Sequence, residues 1–284
     1  MPRLALLLLG LLIAGCGSEA AAGGGPRVVA TTTQLADMAR NVAPGADVRT
    51  LLAANADPHS YEVRPHDVKA LAHADVVLRS GGETDEWLDG ALDSAGVEDG
   101  AVVDAGAAAG IVGEDPHWWQ DPRRAERAVN AIGRAIPGAD AAPYARRLRA
   151  LDAAVERCLR AVPAERRRLV TSHDALGYYA RRYGIEVVGT VIPALTTSAQ
   201  PSAGDVARLV DTIRSSGVTT IFAESSVSPK VEQAIAREAG ARVGRPLWAD
   251  SLGPDVSYLE SISENTRALV EGFTGRPARC DLDA

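Results

Sequence analysis

Two parallel-sheet α/β lobes joined by a long rigid helix are the fold class that the sequence predicts, and three observations carry it. Short β-branched runs alternate with helical patterns from Arg27 onward, and the alternation starts afresh at Leu169. Alternation of this kind calls for parallel strands with crossover helices. Between the two series lies an Arg- and Ala-rich segment with a helical apolar stripe. At 284 residues the chain also has the length for about two domains.

The chain opens with Met1-Pro2-Arg3, an apolar run from Leu4 to Ile13, then Ala14-Gly15-Cys16. That is a basic n-region, a short h-region and small residues before a cysteine. The run is short for a transmembrane span. Ile13-Ala14-Gly15-Cys16 resembles the lipobox of bacterial lipoproteins, whose cysteine is lipidated and becomes the new N-terminus; an ordinary signal peptide and an uncleaved anchor are the alternatives. Residues 1–15 are thus read as a lipoprotein signal peptide, Cys16 as the lipidation site, and 16–26 as a small, Gly-rich tether. By random-coil scaling the tether reaches about 15–20 Å. The mature protein is then expected outside the cytoplasmic membrane, held to it by lipid.

In the first lobe, 27–120, strands are expected at Val28–Thr33, Val48–Ala53, Val76–Ser80 and Ala101–Asp104. Helices are expected from about Gln34, from Pro65, and through Trp87 and Leu92. A linking helical segment occupies 121–165. Its second half places Tyr144, Leu148, Leu151, Val155 and Leu159 three and four residues apart, which makes one face apolar. Pro143 suits a first turn and Pro163 lies just past the end, so a strut of roughly 30 Å is expected. In the second lobe, 166–284, strands are expected at Leu169–Ser172, Val187–Ile192, Thr219–Ala223 and Arg242–Trp248. Helices are expected near Tyr178, from Ser202 and from Pro229.

Composition excludes several functions. Thirty Lys+Arg against 37 Asp+Glu give a net charge of -7, without the basic footprint of a nucleic-acid binder. The only lysines are Lys69 and Lys230, a skew of a GC-rich genome that carries no function. The glycines near Gly81-Gly82 and Gly106–Gly113 match neither a dinucleotide loop nor a phosphate loop with its lysine. Ser225 and Ser226 lack the flanking glycines of a nucleophile elbow.

The five histidines carry the chemistry. His59, His117 and His173 each follow a predicted strand of an open α/β sheet, where the carboxyl ends face a ligand crevice. The first two share a frame, Asp57-Pro58-His59 and Asp115-Pro116-His117. Proline stiffens each loop, and stiffness favours convergence of metal ligands; Asp-Pro also begins ordinary turns with solvated histidines. His66 and His73 are seven apart, expected on one face of the helix after Pro65, whereas chelation along a helix uses i, i+4. They are read as surface or packing residues. A carboxylate from the second lobe should complete the set, and spacing leaves both Glu224 and Asp250 as candidates.

These stretches resemble a known family. Asp57-Pro58-His59-Ser60-Tyr61-Glu62, Ala74-Asp75-Val76-Val77, Asp115-Pro116-His117-Trp118-Trp119-Gln120-Asp121-Pro122 and Thr171-Ser172-His173-Asp174-Ala175-Leu176-Gly177-Tyr178 occur in order. Ile221-Phe222-Ala223-Glu224-Ser225-Ser226 and Ala249-Asp250-Ser251-Leu252-Gly253 follow. In this order the chain, from about Pro26 to Cys280, is similar to the metal-binding lipoproteins of zinc and manganese ABC importers, the ZnuA/TroA/PsaA-like solute-binding proteins. The resemblance implies two α/β lobes on one long helix with a metal site in the cleft between them. By position it makes His59, His117, His173 and Asp250 the ligands, and puts Glu224 outside direct contact with the ion.

Three imidazoles and one carboxylate suit Zn²⁺. Manganese-selective members of such a family often carry a carboxylate where this chain has His173, so zinc is the expected cargo and Mn²⁺ the alternative. Asp99–Glu114 lacks the histidine-rich loop of many zinc-specific members, which argues against an auxiliary collecting site. The resemblance further implies an ABC-transporter permease as partner, no nucleic acid, a monomer, and no enzymatic activity. A zinc metallohydrolase using the same histidines and a surface adhesin with a structural metal are the rival readings. Cys158 and Cys280, left as a pair once Cys16 is lipidated, are expected to bridge in an oxidising compartment, with a buried Cys158 thiol as the alternative.

Overall fold

A computed structural model describes residues 24–282. The signal peptide, the lipidation of Cys16 and the tether up to Gly23 lie outside the described residues. Within them are eight strands and ten helices. None of these helices is long and apolar enough to cross a membrane.

The first sheet holds β1 (Arg27–Ala30), β2 (Asp47–Thr50), β3 (Val76–Arg79) and β4 (Val102–Asp104) in the order β2-β1-β3-β4, all parallel. β1 and β3 are buried along most of their length, as strands covered on both faces must be. The crossovers are α1 (Thr33–Val42), α2 (Pro65–Leu71) and α3 (Leu88–Ala95). Thr32 caps α1 through the Leu35 amide, and Pro65 opens α2. A short α4 (Ala105–Ala109) follows β4. Its five residues are alanine and glycine, without any periodicity to betray a helix.

The linking segment contains two helices, of which the second is the expected strut. α5 (Pro122–Ala135), capped by Asp121, packs against α6 (Ala142–Arg160) and also against α1 and α4. α6 is 19 residues, about 28 Å, and buries Tyr144, Leu148, Leu151, Val155 and Leu159.

In the second half β5 (Arg168–Thr171) pairs with β6 (Glu186–Thr190), and β7 (Thr220–Ile221) with β8 (Arg242–Val243), again in parallel. A single parallel pair, Thr171 with Phe222, links the two ribbons. The expected strand Arg242–Trp248 is shorter than its sequence suggested. Pro246 has no N–H for a ladder, and pairing resumes only between Glu224 and Leu247. The helices are α7 (Gly177–Tyr183), α8 (Ala203–Ser216), α9 (Lys230–Ala239) and α10 (Tyr258–Thr274). Ser202 and Ser257 form capping boxes with Asp205 and Glu260.

α10 went unread in the sequence because its buried face carries Ser261, Ser263, Asn265 and Thr266, which blur the apolar stripe. It lies so close to the residue after β7 that a Cβ on Gly272 would run into the Phe222 ring. One apolar cluster runs from Val28 through α1, α5, α6 and α7 to Phe222, Leu247 and α10, so both halves share it. Asp152 of α6 receives two guanidinium bonds from Arg182 of α7, at 2.9 and 2.6 Å, and the Tyr183 hydroxyl at 3.0 Å.

Cys158 of α6 and Cys280 are bonded to each other, with Cα atoms 5.5 Å apart, and the bond closes a separation of 122 residues along the chain. Cys280→Ser is expected to lower stability by about 2–4 kcal/mol in urea unfolding without reductant. A midpoint equal to that of the parent would show that the bond contributes nothing.

Candidate metal centre

Each Asp-Pro-His frame folds into the same local turn. The Asp57 Oδ1 accepts the His59 amide at 2.9 Å, and the Asp115 Oδ1 accepts the His117 amide at 3.0 Å. Proline between them holds the backbone for this i, i+2 bond. Asp115 does more than stiffen its loop. The same Oδ1 lies 3.0 Å from His117 Nδ1, and its Oδ2 takes Arg181 at 3.3 Å. With a carboxylate as acceptor, Nδ1 carries the proton and Nε2 presents a lone pair.

His173 follows β5 and is held in the same manner by a distant residue. Glu224 Oε1 lies 2.7 Å from His173 Nδ1 and accepts the His173 amide at 3.0 Å. Asp250 is delivered by the stretch after Leu247. Trp119 Nε1 and Gln120 Nε2 both donate to the Ala249 carbonyl at 2.7 Å, and the Tyr258 hydroxyl ties the Trp119 carbonyl at 2.6 Å. The residues right after the second Asp-Pro-His frame thus hold the backbone that carries Asp250.

Four side chains meet at one point. His117 Nε2 is 3.3 Å from His173 Nε2, and Asp250 places Oδ1 3.5 Å from His117 Nε2. The other oxygen, Oδ2, is 3.5 Å from His173 Nε2 and 3.7 Å from His59 Nε2. One ligand atom from each of the four residues lies within 4.8 Å of all the others. All four side chains are buried, with at most 2% exposure.

Neither oxygen of Asp250 has a hydrogen bond, nor has His59 Nε2. A fully buried carboxylate without partners is costly unless a cation faces it. Donors at about 2.0–2.2 Å from a tetrahedral zinc sit about 3.3–3.6 Å apart, close to the 3.3–3.7 Å spacings from His117 to His173 and from Asp250 to the three histidines. Charge fits too: among the described residues the Asp250 and Glu224 carboxylates have ion-pair contacts only with the histidines, whereas Asp115 beside His117 is also paired with Arg181. Burial, helped by His117 and His173, lowers His59 to about 3, which keeps it neutral and able to ligate. Burial also works against a charged His173, but the Asp250 and Glu224 carboxylates outweigh it and raise the group to about 9. Burial pushes Asp250 up, with His173 opposing.

The structure brings His59, His117, His173 and Asp250 together and sets Glu224 behind His173. His66 and His73 are elsewhere. His66 is exposed and 3.2 Å from Asp67, and His73 lies beyond α2, which ends at Leu71, so the two do not share a helix face. Three contacts escaped the sequence. Asp115 as the Nδ1 partner of His117 was signalled by its i, i+2 position. Thr197, which donates to Asp57 Oδ2, and Ser198, which donates to the His59 carbonyl at 3.1 Å, had no signal.

The ZnuA family, described as zinc-uptake complex component A periplasmic, matches residues 28–272. The zinc-binding protein TroA of Treponema pallidum is 31% identical over 291 residues, covering 93% of this chain and 94% of that protein. The iron-binding protein YfeA of Yersinia pestis is 30% identical, covering 87% and 86%. The manganese-binding lipoprotein MntA of Bacillus subtilis is 32% identical, covering 88% and 90%. The solved structure of the periplasmic zinc-binding TroA superposes with a TM-score of 0.80 at 27% identity, over 88% of this chain and 99% of that one. With a match along nearly its whole length, the chain belongs to the ZnuA family and is a metal-binding solute receptor of an ABC importer, not an enzyme.

Proposed function

We propose that the chain captures Zn²⁺ outside the cytoplasmic membrane, through His59, His117, His173 and Asp250, and delivers it to an ABC-type permease while tethered by lipid on Cys16. The observation that carries this reading is Asp250, buried at 0% exposure with both oxygens unbonded and three imidazole Nε2 atoms around it. Three nitrogens and an oxygen form a donor set of borderline softness, which suits zinc. The relatives, named for zinc, iron and manganese, do not separate the metals, so the donor set is the argument.

One observation favours Mn²⁺ as a second cargo. Asp250 turns its two oxygens toward different histidines, so both can reach one ion and raise the coordination number beyond four. Glu224 and Asp115 act at one remove. Each fixes the Nδ1 proton of a ligand histidine, which orients the ring and keeps Nε2 basic.

Metal analysis of the mature chain, followed by stripping and competitive titration, is expected to give one ion per chain with zinc held more tightly than manganese. Preference for manganese would transfer the cargo and keep the site. Asp250→Ala or His173→Ala should weaken zinc by more than about 100-fold, whereas Glu224→Gln or Asp115→Asn should cost about 10–100-fold. An Asp250→Ala protein as tight as the parent would remove Asp250 from the ligand set.

Protons compete with zinc for the imidazole nitrogens, so affinity must fall as pH falls. His173, raised to about 9, binds a proton in the empty site that the metal has to expel. Between pH 7.5 and pH 5 a loss of at least about tenfold is expected in calorimetric titration. A pH-independent constant would exclude a histidine-dominated site.

A further inference from the structure

The end of the molecule away from the metal centre carries a groove with no part in the reading above. It lies where α6 and α10 both terminate, beside the Cys158–Cys280 bond, and encloses about 740 Å³. Val162, Val270 and Pro277 give it an apolar floor, and Arg166, Arg276 and Arg279 give it a basic rim. No carboxylate lines it, in a chain whose 37 acidic residues outnumber its 30 basic ones. The three arginines are exposed, and none forms an ion pair among the described residues. Arg157 and Arg160 continue the basic edge along the last turn of α6, with Arg160 paired to Glu156. Glu165 lies in an adjoining cleft with Arg166 and Arg168.

The position of the groove is as informative as its charge. β5 starts at Arg168, beside the groove, and its other end leads to His173. The groove is therefore one strand length behind the metal centre. The opposite end of α6 sits by the last turn of α1, where the Asp140 amide bonds the Val42 carbonyl. The first turn of α1 is on the side of the centre, with Thr33 bonded to Leu252. The tether enters there as well, the Pro26 carbonyl accepting the Asp47 amide just after α1. Tether and groove thus mark the two ends of α6, about 28 Å apart, both remote from the centre.

We propose that this groove docks on the anionic headgroup surface of the membrane to which the chain is anchored, so that the receptor rests on its arginine-rich end with the metal centre turned outward. The inference rests on the reading of Cys16 as a lipid anchor. Guanidinium forks match phosphate oxygens two at a time, and the apolar floor accepts the upper part of the lipid. Each arginine near an anionic surface contributes about fivefold to partitioning. Such a contact is weak in free solution. The tether raises the effective concentration of the surface enough to populate it.

The test uses the mature lipoprotein on vesicles of phosphatidylcholine alone or mixed with phosphatidylglycerol, read by amide hydrogen exchange. Residues 161–166 and 274–280 are expected to exchange at least about fivefold more slowly on the anionic vesicles. High salt, which shortens the screening length to about 3 Å at 1 M, should abolish the protection. So should the combined Arg166→Glu, Arg276→Glu and Arg279→Glu variant, whose zinc titration should match that of the parent. Equal exchange on both vesicle types, or protection kept in the variant, overturns the proposal. Protection produced by inorganic phosphate on phosphatidylcholine vesicles would overturn it in favour of a free anion. A chain that does not float with either vesicle type removes the anchor and the docking together; flotation with equal exchange removes the docking alone.

Discussion

Asp250 is a carboxylate with no exposure and no hydrogen bond, and much of the molecule is arranged to keep it so. Burying such a group costs several kcal/mol unless positive charge faces it. Three imidazoles face it, but they are neutral when they act as ligands. In the empty site a protonated His173 supplies that charge, and a divalent ion would take its place once the three imidazoles act as neutral ligands. The same arithmetic explains why Glu224 sits behind His173. Its carboxylate lies beside the ring and adds negative charge near the centre without being one of the four converging groups, as Asp115 does beside His117.

Directing lone pairs is the second demand, and hydrogen bonds to the far side of the rings meet it. Asp115 and Glu224 each accept from an Nδ1, which leaves both Nε2 atoms aimed inward. The two anchors are built differently. Asp115 is two residues from its histidine and is set by a proline turn. Glu224 is 51 residues from His173 and is set by the parallel pairing of neighbouring strands.

The frame around the centre comes from packing that does not involve it. Trp119 and Gln120 bind the backbone next to Asp250 and Tyr258 holds the Trp119 carbonyl, with the Trp119 and Tyr258 rings embedded in the apolar cluster that both halves share. α6 lies along that cluster, locked to α7 through Asp152 and Arg182 and to the C-terminal stretch through Cys158. A core of this extent keeps the ligand-bearing loops in place independently of the ion, as a receptor that must fill and empty requires.

The amino-acid sequence by itself determined the alternation of strands and helices, because β-branched runs and apolar stripes follow from local geometry. It also determined the two Asp-Pro-His turns, whose bonds span two residues. It did not reveal α10, since serine, asparagine and threonine on a buried face find partners that only the folded chain supplies. Nor did it distinguish Glu224 from Asp250, two acids after neighbouring strands with equal claims by spacing. Tertiary structure decided that Glu224 meets the Nδ1 of His173 and Asp250 the Nε2 atoms of all three histidines. The physical reason is that these contacts join residues tens of positions apart. Their geometry depends on strand register and on the loops that the shared core holds, not on any local preference of the residues themselves.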